Sequence, residues 1–454
     1  MAQEQVKIPK RILDALLLSL SAGVVPRSGA PYIAIGRNEE IASLLENLET
    51  VADGGASIRF LIGRYGSGKS FLMQLLRGYA IDRGFLTSDA DLSPERRLCG
   101  GNGSGIATYR ELLRNLASKA SPENGALTAV LSRHFTQMKS KLVEQGILPE
   151  DEAFLPALKK EIYRSLSSLE GQVGGFDFCS VLSAYYDGCI SENEEKKSAA
   201  LRWLRGEFVT KTEAKKALGI PVGVIIADDN WYEFVKLWAA FAKKIGYMGL
   251  IVFIDECVNL FKIPNRIARE ANYEKLLAIF NDTLQGKAKH LGVVFGGTPQ
   301  FLEDTRRGLF SYDALKSRLQ DSKYAAVGGY HNLSSPVIRL RTLSSAELLA
   351  LVKRLTMLYA ARDGKEPLVS DEEIERFVAM SRSRIGASEM ITPREIIRDF
   401  LSFLNVMRDN PSVKFDDLMK GASALSDDEA PGEDEGGASS GIGSSTIGIF
   451  DITI

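Results

Sequence analysis

The sequence predicts an α/β fold built on a parallel β-sheet, and three apolar runs support this prediction. Residues 58–62 form a short apolar run that is followed by a glycine-rich loop and an amphipathic helix. Residues 250–254 form a second run, which ends in Asp255 and Glu256, and residues 291–297 form a third. Short runs this rich in large apolar residues are typical of strands that are buried on both faces, as strands in parallel sheets are.

The remaining elements follow from capping residues and apolar spacing. Weaker apolar runs at 85–90 and 337–340 predict two more strands. Ser93 and Pro94 are expected to begin a short helix, because both residue types favour helix starts. Apolar residues at helical spacing predict the other helices, which are expected at residues 8–20, 38–51, 69–82, 231–244, 271–284, 344–361, 370–382 and from 392 onward, with a mostly helical stretch over 107–218.

Composition narrows the class of protein. The 454 residues are 45% apolar and 25% charged, which suits a soluble protein of two or three domains. A net charge of −2 and a pI of about 6.1 indicate no overall basic field of the kind that marks nucleic-acid binding. No apolar run reaches membrane-spanning length, so no membrane partner is expected. The four cysteines lack metal-site spacing, and free thiols in a reducing cytoplasm are the simplest interpretation.

The glycine-rich loop gives the clearest evidence of function. It reads G-R-Y-G-S-G-K-S and lies between a strand and a helix, as the phosphate-loop pattern G-x-x-x-x-G-K-[ST] requires. Its glycines let backbone N–H groups surround phosphate oxygens, and the helix N-terminus adds a favourable dipole. Lys69 should reach the β- and γ-phosphates of ATP, and Ser70 should ligate Mg²⁺. The residues expected to bind the nucleotide are Gly63, Arg64, Tyr65, Gly66, Ser67, Gly68, Lys69 and Ser70.

The acidic pair after the second apolar run predicts the other half of the site. An apolar strand ending in Asp-Glu is the Walker B pattern, and its carboxyl end should meet the phosphate loop. Asp255 is expected to bind Mg²⁺ with Ser70, and Glu256 to polarise the attacking water. The alternative is a buried strand that simply ends in a solvated acidic pair.

The order of these motifs resembles that of AAA+ ATPases of the origin-recognition type. In that family a G-R-x-E-E element, here beginning at Gly36 and Arg37, lies beside the adenine. The resemblance implies that Thr298 acts as sensor one, which orients the hydrolytic water. It also implies that Arg318 is an arginine finger on a neighbouring subunit's ATP, and that Arg394 is sensor two at the γ-phosphate. The alternatives are a solvated helix arginine for Arg318 and an ordinary capped helix start for Arg394.

The same resemblance implies the domain organisation, which is an AAA+ three-layer P-loop core with a parallel sheet, a long helical insertion and a C-terminal helical lid. Lys69 and Asp255 are farther apart than these two motifs usually are, and the extra length is the helical stretch. The predicted divisions are an N-terminal helix and arm at 1–35, the core at 36–342 with the insertion at about 107–218, the lid at 343–410, and a tail at 411–454.

The tail has an unusual composition. It is acidic and rich in Gly and Ser, which is typical of disorder. It ends in an alternating apolar octet at 447–454, which could add as a strand to a sheet edge of this molecule or a partner, or could have no function.

Three segments resemble one bacterial family more closely. G-R-Y-G-S-G-K-S-F at 63–71, D-A-D-L-S-P-E-R-R-L at 89–98 and A-T-Y-R-E-L-L-R-N-L at 107–116 are similar to ATP-binding proteins of bacteriophage-exclusion (BREX) and related phage-defence operons. This resemblance implies a role in antiviral defence beside a helicase, a methyltransferase or other operon products. Together with the motifs above, we expect a cytoplasmic, Mg²⁺-dependent ATPase that forms homo-oligomers. DNA is a candidate partner. Origin-recognition proteins carry a DNA-binding winged helix after the lid, and here too few ordered residues are expected beyond Met407 for one, which argues against direct binding of duplex DNA.

Two functions remain open at this point. The first is an ATP-hydrolysing switch or motor that assembles on DNA, and the acidic pair at Asp255 with Arg318 favours it. The second is a nucleotide-dependent scaffold that recruits a defence effector with little turnover, and the apolar octet and the acidic pI favour that one.

Overall fold

The computed structural model of the protein describes residues 8–321, 332–383 and 392–420. The predicted acidic segment and apolar octet of the tail lie outside these residues.

A five-stranded, all-parallel sheet forms the centre of the protein. In chain order its strands are β1 (Ala56–Ile62), β2 (Leu86–Asp91), β3 (Leu250–Asp255), β4 (Leu291–Gly297) and β5 (Val337–Arg339). Their spatial order is β2-β3-β4-β1-β5, and every neighbouring pair is parallel. Every residue of β3 and β4 is buried, as expected of strands covered on both faces. The predicted α/β fold with a parallel sheet is therefore confirmed.

Helices follow and flank the strands. Before β3 they are α1 (Lys10–Ser21), α2 (Asn38–Ala52), α3 (Lys69–Asp82), α4 (Ser104–Arg114), α5 (Leu127–Glu144), α6 (Phe154–Leu166), α7 (Gly175–Ile190), α8 (Glu194–Leu204), α9 (Lys211–Leu218) and α10 (Trp231–Lys244). After β3 they are α11 (Val258–Phe261), α12 (Arg266–Leu284), α13 (Pro299–Glu303), α14 (Asp313–Leu319), α15 (Ser345–Asp363), α16 (Asp371–Ser383) and α17 (Pro393–Asp409). None of the helices in the described ranges is long and apolar enough to cross a membrane.

The chain between β2 and β3 is helical from α4 to α10, which agrees with the helical content predicted for 107–218. The helix predicted to begin at Ser93 is wrong. Instead, the Ser93 hydroxyl accepts hydrogen bonds from the backbone N–H groups of Glu95 and Arg96 and closes a turn. This local hydrogen bonding is what makes serine as favourable in turns as at helix starts.

One apolar core joins the sheet to this helical region. Phe60 of β1 stacks on Phe295 of β4 with ring centroids 5.2 Å apart. Farther out, the Trp238 indole N–H of α10 donates to the Tyr109 hydroxyl of α4 at 3.0 Å, and that hydroxyl donates to the backbone carbonyl of Leu204 at 2.8 Å. The polar atoms of these large side chains are thus paired, which lets the rings be fully buried without a desolvation penalty.

A second apolar core packs the N-terminal helix against the last three long helices. Leu16 of α1 meets Leu355 of α15 and Phe400 of α17 in this cluster, and all three side chains are fully buried. Helices that are far apart in the sequence are therefore held together, and the segment after α1 lies beside the loop that follows β1.

Candidate functional site

The loop between β1 and α3 has the backbone that a phosphate cradle needs. Gly66 and Gly68 have φ values of +73° and +92°, which side-chain-bearing residues seldom adopt. Gly66 is required for a second reason, because an added Cβ would lie 2.5 Å from the Cβ of Thr392 at the start of α17. The loop is therefore shaped both by its own conformation and by the contact with a segment more than 300 residues away.

Lys69 lies along this loop. Its ammonium group donates to the carbonyls of Gly63 at 2.9 Å and Arg64 at 3.0 Å. Desolvation lowers the pKa of Lys69, and the negative charges of Asp255 and Glu256 oppose that shift. A cation with carbonyls on one side and two carboxylates nearby is well placed to meet phosphate oxygens at the helix N-terminus.

Ser70 and Asp255 are in direct contact. The Ser70 hydroxyl donates to Oδ2 of Asp255 at 2.6 Å, and the backbone N–H of Glu256 donates to Oδ1 of the same carboxylate at 2.8 Å. The structure therefore brings the phosphate loop and the acidic pair together, as the two motifs predicted. Glu256 itself has φ +55°, a conformation that costs a non-glycine residue about 1–2 kcal/mol and is often found at functional sites.

Gly296 of β4 makes room for the Asp255 carboxylate. A Cβ at this position would overlap Oδ1 of Asp255 and would lie 2.9 Å from its Cγ and 3.1 Å from the sulfur of Met73. Only a residue without a side chain leaves space here for the Asp255 carboxylate. Nothing in the sequence marked Gly296 as part of the site.

Asp91 is a third acid at this edge that sequence reasoning missed. It ends β2 and pairs in register with Asp255 on β3. Desolvation raises the pKa of Asp91 to about 6, and the charges of Asp255, Asp89 and Glu256 act in the same direction. An acid directly after a predicted strand was the available signal, because parallel strands end at one edge of a sheet.

Arg37 is buried and connects three segments. Its guanidinium donates to the Ser67 carbonyl at 3.0 Å, to the Arg341 carbonyl at 2.6 Å and to the Glu40 carboxylate at 3.1 Å. Gly36 precedes it with φ +73°, and a Cβ there would lie 2.6 Å from Oε1 of Glu347. Arg37 therefore fixes the carbonyl side of the phosphate loop against the segment that leads into α15.

A cavity opens next to the loop, and both polar and apolar residues line it. Its polar lining comprises Arg37, Tyr65, Gly66, Ser67, Gly68, Lys69, Ser70, Glu256 and Arg394. Its apolar lining comprises Leu20, Val24, Val25, Pro26, Ile33, Ile35, Phe71, Leu343, Leu351, Pro393 and Ile397. A pocket lined by both a phosphate loop and apolar side chains suits the two halves of a nucleotide, the phosphates and the base.

Some predicted site residues lie in this cavity and others do not. Arg394 reaches it and donates to the Tyr65 hydroxyl at 3.5 Å. Thr298 follows β4, and its hydroxyl accepts the N–H of Phe301 at 3.3 Å as the cap of α13. Arg318 is exposed on α14, where it donates to the Ala314 carbonyl at 2.6 Å, and it is not part of the cavity wall. The structure of one chain thus does not bring Arg318 to its own phosphate loop.

The donors at this site fit a magnesium nucleotide better than a metal held by protein alone. Among the described residues, no group of three or more His, Cys, Asp and Glu side chains could hold a metal ion. Ser70 and Asp255 could supply two oxygen ligands, and Mg²⁺ typically takes the rest from substrate phosphates and water. Ser67 lines the cavity, and its hydroxyl is buried beside Gly63 without a hydrogen-bond partner within the described ranges.

The parallel sheet, the glycine-rich loop at the end of β1 and the Ser70–Asp255 contact define a P-loop nucleotide-binding protein. A comparison with protein families makes this more specific. The model of the BREX system ATP-binding protein BrxC/D family matches residues 8–423, and the chain belongs to this family. It is therefore an ATP-binding protein of a BREX phage-defence system, as the three resembling segments indicated. No curated protein matches the chain significantly.

Proposed function

We propose that the protein hydrolyses ATP in a Mg²⁺-dependent reaction and acts as a switch or motor in phage defence. The observation that supports this most directly is the 2.6 Å contact between Ser70 and Asp255, which places the phosphate loop beside Glu256. A site for binding alone needs the loop, but it does not need a carboxylate base next to it.

The reaction assigns a role to each of these groups. Ser70 and Asp255 would hold Mg²⁺, which would neutralise charge on the phosphates. Lys69 and the N–H groups of the loop bind the β- and γ-phosphates. Glu256 accepts a proton from the water whose oxygen attacks the γ-phosphorus, and the bond from that phosphorus to the bridging oxygen breaks to leave ADP and phosphate.

The AAA+ arrangement supplies the remaining roles in this proposal. Thr298, at the end of the strand next to both β1 and β3, is the sensor that orients the water. Arg394, which already lies in the cavity, contacts the γ-phosphate from the same chain. Arg318 completes the site of a neighbouring copy, which is consistent with its exposed position away from its own cavity. The protein would then act as a homo-oligomer, with DNA and other BREX proteins as partners.

The variant Glu256→Gln tests the proposed hydrolysis. It should bind ATP with unchanged affinity in calorimetry and turn over at least about a hundredfold more slowly, the scale expected for loss of a positioned base. Glu274→Gln, which changes an exposed carboxylate on α12, is the matched control and should keep full turnover.

The competing function is a scaffold that binds ATP and recruits an effector. It predicts negligible turnover in the unchanged protein, with or without DNA and the other BREX proteins. Wild-type turnover in Glu256→Gln would instead show that another group is the base.

A further inference from the structure

Exposed apolar side chains are concentrated on one part of the helical region. Of the sixteen large apolar residues that are exposed in the described ranges, six lie between residues 143 and 176. Leu155 and Tyr163 of α6 are 51% and 61% exposed, and Phe176 at the start of α7 is 66% exposed. Single exposed apolar residues are ordinary, but a group on adjacent elements marks an interaction surface.

The exposed face of α6 combines these apolar residues with positive charge. Leu155, Lys159 and Tyr163 follow one another at i, i+4 spacing and form one row along the helix. Lys160 and Arg164 form the neighbouring row. The acid of this helix, Glu161, is buried and paired with Lys141. The solvent-facing side of α6 therefore carries three cations and no carboxylate of its own. Lys159 is paired with Asp187 of α7, and the exposed acids at 150–152 precede the helix.

Phe176 extends this surface onto α7. Lys159 of α6 pairs with Asp187 of α7 at 3.3 Å. The side of α7 that carries Asp187 therefore lies next to the row that contains Lys159. Phe176 precedes Asp187 by eleven residues, or about three helical turns, so both lie on the same side of α7. We call the set of Leu155, Lys159, Lys160, Tyr163, Arg164 and Phe176 the α6–α7 patch.

The chain carries one segment whose chemistry complements this patch. Residues 421–454 contain seven acidic residues and no lysine or arginine, so residues 1–420 have a net charge of +5. Six of the acids fall within 427–435, and the octet at 447–454 is rich in isoleucine. We propose that this tail docks on the α6–α7 patch, with its acidic block at the cations and its octet at the apolar side chains.

The spacing within the tail and the state of the sheet edges support this occupant. Eleven residues separate the acidic block from the octet, and such a spacer can extend to about 36–40 Å, more than the length of a 13-residue helix at about 20 Å. Both parts can therefore contact α6 together. The sheet edges are poorer sites for the octet, because Thr87 of β2 is bridged to Ala117 and β5 has three residues.

A photo-crosslinking experiment on the full chain tests this proposal. Phe450 is replaced by benzoylphenylalanine, the protein is irradiated, and the crosslinked peptides are identified by mass spectrometry. The expected crosslinks fall within residues 155–176, and raising the salt concentration should lower their yield because the pairing is partly electrostatic. Mixing isotope-labelled with unlabelled protein shows whether the tail docks on its own chain or on a second copy, and either result supports the proposal.

Charge reversal on the patch provides the matched comparison. Lys160→Glu combined with Arg164→Glu should lower the crosslink yield at least about fivefold, on the scale of two exposed ion pairs. Lys215→Glu with Lys216→Glu, on the exposed side of α9, should leave the yield unchanged. ATP affinity should be the same in all of these proteins, which controls for folding.

Two outcomes would overturn the proposal. One is that crosslinks form outside residues 155–176 or are unaffected by the charge reversal. The other concerns nucleic acid, which also binds to surfaces that combine cations with aromatic rings. If a single-stranded oligonucleotide binds the protein and Tyr163→Ser abolishes that binding without changing the crosslinks, the patch is a nucleic-acid surface. Neither outcome depends on whether the protein hydrolyses ATP.

Discussion

The variant Gly296→Ala tests whether the Asp255 carboxylate is needed for Mg²⁺-dependent ATP binding as well as for the stability of the fold. The added Cβ overlaps Oδ1 of Asp255 and lies 2.9 Å from Cγ of the same residue, so the carboxylate has to move away from Ser70. Overpacking of this kind costs about 1–3 kcal/mol of stability. Displacement of Asp255, one of the two protein oxygens that would bind Mg²⁺, should weaken metal binding by about 1.5–3 kcal/mol, the scale of one interaction with a charged group, or roughly tenfold to hundredfold in Mg²⁺ affinity.

The assay is ATP binding by calorimetry, with Mg²⁺ and with a chelator, and a urea titration of each protein. The Mg²⁺-dependent part of the affinity should fall at least about tenfold in Gly296→Ala. Gly292→Ala is the matched control, since it lies on the same strand and face, and its Cβ would meet Cδ1 of Ile251 at 2.7 Å, away from the carboxylate. If both variants lose stability equally and neither changes the Mg²⁺ dependence, Asp255 does not bind the metal.

Three further predictions concern single side chains. Lys69→Ala should lose ATP binding, because the cation that meets the phosphates is gone, and unchanged affinity in a folded protein would contradict the assignment. Arg318→Ala should bind ATP but not hydrolyse it alone, and mixing it with Glu256→Gln should partly restore turnover; failure despite subunit exchange would exclude a finger acting between subunits. Burial lowers the pKa of His134 to about 4, so the unfolded chain binds a proton at this histidine more readily than the folded protein does. The free energy of unfolding is therefore unaffected by His134 above about pH 6.5 and falls as the pH decreases towards 4. That loss amounts to about 3 kcal/mol, and urea midpoints between pH 7 and 4.5 should fall less steeply in His134→Gln.

The parts of the site that the sequence predicted are those encoded by neighbouring residues. The glycines, Lys69 and Ser70 follow one another on a strand–loop–helix unit, and Asp255 ends an uninterrupted apolar strand. Both patterns are local, so they could be recognised without knowing how the chain folds. Their contact at 2.6 Å follows from the rule that the carboxyl ends of parallel strands share an edge.

The sequence could not predict contacts between distant segments, including those made by residues that it had assigned to the site. Arg37 binds the carbonyl of Arg341, and Thr392 closes over Gly66, across separations of about 300 residues. Gly296 resembles any other small residue in a strand until its neighbour Asp255 is placed. The wrong helix at Ser93 has a different cause, because serine caps a turn by the same hydrogen bonds with which it caps a helix.

The shared core of the sheet and the helical region limits how this protein could have evolved. Tyr109, Leu204 and Trp238 are hydrogen-bonded to one another on three helices whose apolar faces continue into β3 and β4. Deleting the region would expose the outer face of the sheet, and grafting it onto another P-loop protein would require a matching apolar surface there. We therefore expect gene fusions and recombination to have left residues 104–244 and the strands together, as one inherited unit.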